Sequence, residues 1–316
     1  MGAPGRAACP VLVGRGDRVG QPPGGRARGG LAQGRAIPGR NRIHRAVSHV
    51  VWLDGGLVPP GGAALPITDP GVRWGDGLFE TMRAEHGRIP LLDRHLTRLM
   101  QSVAALGFDP APSESDIRAA LAECMAKVDA GVHRVRVTVT PHPTLLVEIT
   151  PYEPNPAPGV TVTSLIGTWW PGEEIREHKT LSYAAHRLAH RRAVAAGTDH
   201  ALLLDDAGRL GESDAANVFL VVGGTLLTPP VEGILGGVTR DLLLEVAVAE
   251  GIPIDVRHVA EAEWRDADEM FLSNGLVGLT PVLAVDGVPV RDGTPGPTSQ
   301  RLQEAFARAG GWARAA

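Results

Sequence analysis

Lysine is almost missing from this chain. Of its 31 basic residues only Lys127 and Lys179 are lysines, which leaves 31 − 2 = 29 arginines. Arginine serves wherever fixed positive charge is enough, but its guanidinium stays protonated and cannot do the carbonyl chemistry of an amine. A lysine kept in so arginine-rich a chain is therefore a candidate for amine chemistry. Lys127 lies in the polar, helix-like run 123–127 and reads as a surface residue. Lys179, in Arg176-Glu177-His178-Lys179-Thr180-Leu181-Ser182-Tyr183, precedes a helical stretch and has no apolar repeat to claim it.

Other shortages narrow the class of protein. Two cysteines, Cys9 and Cys124, cannot make a disulfide framework, and a reducing cytoplasm is the expected compartment. No apolar run approaches the roughly 20 residues of a membrane span, and no secretory or transit signal is evident. Residues 1–47 lack aromatics, serine, threonine and lysine but hold nine arginines and a single acid, Asp17. Such a segment cannot bury enough apolar surface to order itself and is expected to be a disordered Arg/Gly-rich extension, or an overlong gene start with initiation near Val47. An Arg/Gly tract can also attract nucleic acid or anionic lipid, but nothing here would stack on bases. Taking its +8 from the chain's −4 leaves −12 on residues 48–316, a body ill-suited to nucleic acid. A small-molecule substrate is expected, with no nucleic acid, membrane or metal as partner.

The 43% hydrophobic content supports a sizeable core. Period-two and helical patterns alternate along the chain. A small hairpin is predicted over 50–57, turning at Gly55-Gly56, with strands near 78–84, 134–140, 145–150 and 160–165, and helices over 92–106, where Asp93 could cap, and 114–130. A proline-rich stretch, 151–159, follows the fifth strand. Beyond it come a helix over 181–196, strands near 201–205, 218–222 and 225–228, and a helix capped by Thr239 and closed by Gly251. Strands near 254–259 and 270–273 and a hairpin over 281–290 complete the pattern. Two α/β (α+β) domains are expected, at 48–153 and 160–316, joined by a linker at 154–159.

Four more segments hold features that packing does not require. Gly236-Gly237-Val238-Thr239-Arg240 opens a helix, where free amides and the dipole suit an anion. Glu212 and Asp214 fall between two predicted strands; a solvated turn and a carboxylate aimed at a cationic nitrogen both remain open. Arg98 falls beside the apolar stripe of its helix, able either to snorkel or to reach a phosphate. Ser273-Asn274-Gly275 ends a strand in a small polar turn. A reactive lysine, a carboxylate and three anion-binding segments are together what a pyridoxal phosphate site requires.

In this combination the chain resembles the fold-type IV pyridoxal phosphate enzymes, which include branched-chain aminotransferases, D-amino acid aminotransferases and aminodeoxychorismate lyases. The matching runs are residues 74–83, 95–99, 178–183, 212–219, 234–240 and 273–282, in the family's order. The resemblance implies a two-domain, D-amino acid aminotransferase-like fold, a homodimer, and pyridoxal 5'-phosphate between a smaller N-terminal and a larger C-terminal domain. It makes Lys179 the Schiff-base lysine and Glu212 the partner of the pyridine nitrogen. Arg98, the amides of Val238 and Thr239, and Ser273, Asn274 and Gly275 would hold the phosphate. Thr81 and Arg83, on one strand face, would contact a substrate carboxylate.

Within the family, Glu80-Thr81-Met82-Arg83, Asn274-Gly275-Leu276 and the four-residue step from Lys179 to Tyr183 resemble the lyase branch. The expected activity is 4-amino-4-deoxychorismate lyase, eliminating pyruvate to give 4-aminobenzoate for folate biosynthesis. The alternative is a class IV aminotransferase acting on branched-chain or D-amino acids. Residues 140–143 are shorter than the glycine-rich loop of many relatives, and Trp169-Trp170-Pro171 also departs from the family pattern.

Overall fold

A computed structural model describes residues 49–155, 157–310 and 312. The expectations for residues 1–47 lie outside the described residues. From His49 onward the described chain packs as one compact unit.

Its first half builds an antiparallel sheet covered by helices. In chain order it comprises β1 (Val50–Leu53), β2 (Gly56–Val58), α1 (Pro70–Trp74), β3 (Leu78–Ala84), α2 (Leu92–Ala105), α3 (Glu114–Met125), β4 (His133–Val139) and β5 (Leu145–Pro151). The five strands run in the order β2-β1-β5-β4-β3, which leaves β3 at one edge. Alternation along β3 turns Leu78, Glu80, Met82 and Ala84 toward α2, whose stripe of Leu96, Leu99 and Val103 is buried in the same core. Each such buried side chain contributes about 1.5–3 kcal/mol. One polar residue, Glu80, sits in that apolar register, and its presence there has a reason in the site described below.

The second half comprises β6 (Val160–Leu165), α4 (Ala184–Ala195), β7 (His200–Leu204), β8 (Leu210–Ser213), β9 (Asn217–Val222), β10 (Thr225–Thr228), α5 (Val238–Ala249), β11 (Ile254–Val256), α6 (Glu261–Arg265), β12 (Glu269–Asn274), β13 (Gly278–Val285), β14 (Val288–Pro289) and α7 (Pro297–Arg308). Eight of these strands line up as β11-β10-β9-β12-β13-β6-β7-β8, with β14 paired to β13. Parallel pairs (β6 with β7, β13 with β6) and antiparallel pairs (β9 with β12) mix in this sheet, as expected for an α/β chain. One core lies between the sheet and α6, another beneath α5 and α7.

Several boundaries differ from the sequence pattern. α2 starts at Leu92 after Leu91, which adopts a left-handed conformation, so Asp93 caps nothing and instead pairs with Arg118 at 2.7 Å. α3 ends at Met125 and starts with a capping box in which Ser113 and Asp116 bond reciprocally. α4 starts only at Ala184, because residues 178–182 are drawn into extended contact with β3. Glu212 lies within a strand, not in a turn between strands, and is buried. α5 is preceded by Gly237 with no side-chain cap, so Thr239 is an internal residue of its first turn.

Candidate active site

The lysine segment is held as an additional strand at the free edge of β3. Phe79 donates its amide to the Lys179 carbonyl at 2.8 Å, and Leu181 donates to the Gly77 carbonyl at 2.8 Å. Gly77 permits that approach, since a Cβ there would meet Leu181 Cδ1 at 2.6 Å and the Val139 carbonyl oxygen at 2.9 Å. The pairing delivers the Lys179 amine onto aromatic faces: Nζ lies 4.6 Å from the Phe79 ring centre and 5.8 Å from that of Tyr183. Burial pushes the amine down from 10.5 to about 8, helped by the charge of Arg98 and opposed by Glu80 and Glu212.

Glu80 explains the polar interruption of β3. Its carboxylate accepts from Arg98 Nε at 2.8 Å and from the Arg98 guanidinium again at 2.6 Å, and lies 2.9 Å from His95 Nδ1. Burial works against its ionisation, but the charge of Arg98 and the bond to His95 outweigh it and hold the carboxyl at about 2. The remaining face of Arg98 donates to the Gly236 carbonyl at 2.8 Å. Arg98 thus does not snorkel to solvent; it ties β3 and α2 to the glycine turn before α5.

Glu212 on β8 is placed by packing behind it. Trp169 is fully buried, donates through Nε1 to the Gly233 carbonyl at 2.7 Å, and lies where Gly211 has no side chain. A Cβ on Gly211 would stand 2.5 Å from the Trp169 ring. This accounts for Trp169 as a wall behind the strand; Trp170 is exposed. In front, Glu212 Oε1 lies 3.2 Å from His186 Nε2, and the His186 ring stacks on Tyr183 at 4.4 Å. Phe79, Tyr183, His186 and Glu212 therefore form a continuous run beside the Lys179 amine.

The anion-type segments converge at the other end. Ser273 pairs across β12 and β9 with Asn217, whose side-chain amide donates to the Leu235 carbonyl at 2.7 Å. Gly237 sits so close to Asn217 that a Cβ would lie 2.0 Å from its Oδ1, whereas the corresponding position on Gly236 meets nothing within 4 Å. Val238 and Thr239 follow as the first residues of α5. The hydroxyls of Thr239 and Ser273 and His95 Nε2 are buried without a hydrogen-bond partner among the described residues. Buried hydroxyls left unpaired cost stability, which points to a ligand as their partner. Asn274 turns inward to accept from the amides of Leu276 and Val277, and Gly275 approaches the Thr81 carbonyl and the His95 ring.

Thr81 and Arg83 do share the outer face of β3 with Phe79, as their alternation predicts, but they are not equivalent. Arg83 is buried and bound to Glu85 at 2.9 Å, so its charge is already matched. Directly opposite Thr81 on β4 stands Arg136, whose guanidinium lies 3.8 Å from the Phe79 ring centre and has no ion pair among the described residues. Burial and the neighbouring Arg134 lower its pKa. Sequence reasoning assigned no role to Arg136, Glu80 or Tyr183. Glu80 was signalled by a charge in an apolar register; Arg136 had no signal, because only strand pairing brings it to Phe79. The short 140–143 loop is tied down by Asp69, which accepts from the hydroxyls of Thr140 at 3.0 Å and Thr144 at 2.8 Å.

Residues 77–285 match the family model described as amino-transferase class IV. The chain is 28% identical over 273 residues to the D-alanine aminotransferase of Bacillus licheniformis, covering 81% of this chain and 95% of that protein. Among solved structures it is similar to the branched-chain aminotransferase from Thermoproteus uzoniensis crystallised with norvaline, with 26% identity, a TM-score of 0.76, and 82% and 93% of the two chains covered. It is also similar to a hypothetical aminotransferase from Mycobacterium tuberculosis in its PLP-bound form, with 26% identity, a TM-score of 0.74, and coverage of 83% and 99%.

Proposed function

Because the chain belongs to the class IV aminotransferases, the fold-type IV pyridoxal phosphate enzymes, we propose that it transfers the amino group of a small α-amino acid to a 2-oxo acid, with pyridoxal phosphate as cofactor. The lyase expectation gives way to its alternative, since these relatives are named as aminotransferases for D-alanine and for branched-chain amino acids. A branched-chain or D-amino acid is the substrate class this supports.

The observation that carries the reading is the pair of orphaned, buried hydroxyls at Thr239 and Ser273, set beside a lysine amine lowered to about 8 and a buried carboxylate. Those residues fit the cofactor. Thr239, Ser273, the amides of Val238 and Thr239, and Arg98 would hold its phosphate, with Asn274 and Gly275 shaping the adjoining turn. Glu212 would keep the pyridine nitrogen protonated, and Lys179 would anchor the aldehyde. When bound, the cofactor supplies an electron sink for the bonds at the amino acid's α-carbon.

The chain's own groups do the rest. Lys179 Nζ, with a pKa near working pH, is suited to take a proton from the α-carbon and return one. Phe79 and Tyr183 wall the amine from water. Arg136, beside Phe79 and opposite Glu148 on β5 without closing an ion pair to it, would take the substrate carboxylate, while Thr81 faces it across the strand pair. The two sheets, joined through residues 154–159, would act as the two domains around the cofactor, and a homodimer would be the working unit. The test is a half-reaction: purified holoenzyme mixed with single L- or D-amino acids, with the cofactor's absorbance followed. Loss of the resting band, its return on adding 2-oxoglutarate, and release of a 2-oxo acid support transamination. An unchanged band with all donors, together with pyruvate release from aminodeoxychorismate, would reinstate the lyase.

A further inference from the structure

A second polar cluster lies beside Glu212 on the α4 side, outside the groups used above. α4 brings His186 and His190 onto one face, four residues apart. His186 is engaged by Glu212, but His190 reaches across to Asp214, with Nδ1 2.9 Å from Oδ2. His200, the first residue of β7, approaches from the other side, with Nδ1 3.1 Å from Asp214 Oδ1. The three ligand-type atoms lie within 4.8 Å of one another. Asp214 is 3% exposed, while both imidazoles are near 30%.

From this geometry we propose that His190, His200 and Asp214 form a binding site for a divalent transition-metal ion, best suited to zinc. Two imidazoles and one carboxylate are a borderline-soft donor set typical of that ion. Bonds of about 2.0–2.2 Å place ligand atoms roughly 3.4 Å apart around a tetrahedral centre, near the 2.9 and 3.1 Å His–Asp separations seen here. The carboxylate is already oriented: Oδ1 accepts from the Ala201 amide at 3.0 Å and the Ser213 hydroxyl at 2.9 Å. Such outer bonds are what position a metal-binding carboxylate. Most telling is His190 Nδ1, which is shielded from solvent and close to Asp214 in distance, yet makes no aligned hydrogen bond. The partly exposed imidazoles leave a path for the ion and a fourth position for water.

The site would clamp α4, β7 and the end of β8, three elements that meet at the strand carrying Glu212. Tyr183 joins it to the cofactor side, since its hydroxyl donates to the Asp214 carbonyl at 3.0 Å.

The test uses tag-free holoenzyme stripped with a chelator and then dialysed. Calorimetric titration with zinc chloride should show one saturable site per chain, and cobalt(II) should give the intense visible bands of a low-coordinate ion. His190→Ala and His200→Ala should each abolish both signals, and Ser213→Ala should weaken zinc binding by about tenfold. His190 lies on a helix face whereas His200 sits within the sheet, so the His190 variant is the one best placed to fold, which circular dichroism and cofactor absorbance verify. Absence of saturable binding in the wild type, or an unchanged stoichiometry in the folded His190→Ala variant, would reduce the cluster to a hydrogen-bonded bracket and overturn the proposal.

Discussion

An amine held near a pKa of 8 should capture an aldehyde at a pH where an ordinary lysine hardly reacts. The nucleophile is the neutral amine. At pH 7 a lysine at 10.5 is neutral in about 0.03% of molecules, whereas one at about 8 is neutral in about 10%, a gain of roughly 300-fold. The sign follows from the cause: burial disfavours the ammonium, so the neutral fraction climbs about tenfold per pH unit up to about 8 and then levels. The assay mixes apoenzyme with pyridoxal phosphate over a pH series and follows the absorbance of the bound aldehyde. Covalent capture should show that rise and plateau, and Lys179→Met should show none. Arg136→Gln should move the plateau to higher pH, because Arg136 is one of the charges lowering the amine. A capture rate that keeps rising to about pH 10, the behaviour of a solvated lysine, would refute the reasoning.

Three further outcomes follow from the same geometry. Gly237→Ala places a methyl 2.0 Å from Asn217 Oδ1 and should displace the start of α5, weakening cofactor affinity by equilibrium dialysis at least tenfold; unchanged affinity would mean that the turn holds no phosphate. Arg136→Gln removes a charge-assisted contact of about 1.5–3 kcal/mol and should raise KM for the amino acid roughly 10- to 100-fold, with a smaller change in kcat; an unaltered KM in steady-state assays removes Arg136 from the substrate site. Glu80, depressed from 4.5 to about 2, contributes stability that is fully present above about pH 4.5 and lost as pH falls toward 2. That loss amounts to up to about 3 kcal/mol by the usual conversion. Denaturant midpoints should fall across that window in the wild type and stay flatter in Glu80→Gln.

How legible the site was depends on which part is considered. β3, β6 and β10 stand where short apolar and β-branched runs bounded by turn residues placed them. α4 starts later than its residue pattern suggests because residues 178–182 precede a helix but satisfy their backbone on β3 instead. Glu212 was found and its setting was not: short turn-like composition around Gly208 and Gly211 concealed a strand whose glycine is required by Trp169. The lyase expectation leaned on single residues flanking shared motifs, which report local chemistry and leave the reaction that follows undecided.

By itself the sequence determined the chemistry on offer: one lysine kept among arginines, a carboxylate at Glu212, and glycines and hydroxyls at a helix start and a strand end. These are properties of residue type and local period, and they survive without knowledge of the fold. Only the tertiary structure decided who meets whom. Strand pairing set Arg136 against Phe79, the edge of β3 captured the Lys179 segment, and α4 brought His190 to Asp214. Each of these contacts joins residues far apart in the chain or in different elements, so its geometry is fixed by packing between elements and carries no periodic trace in the sequence.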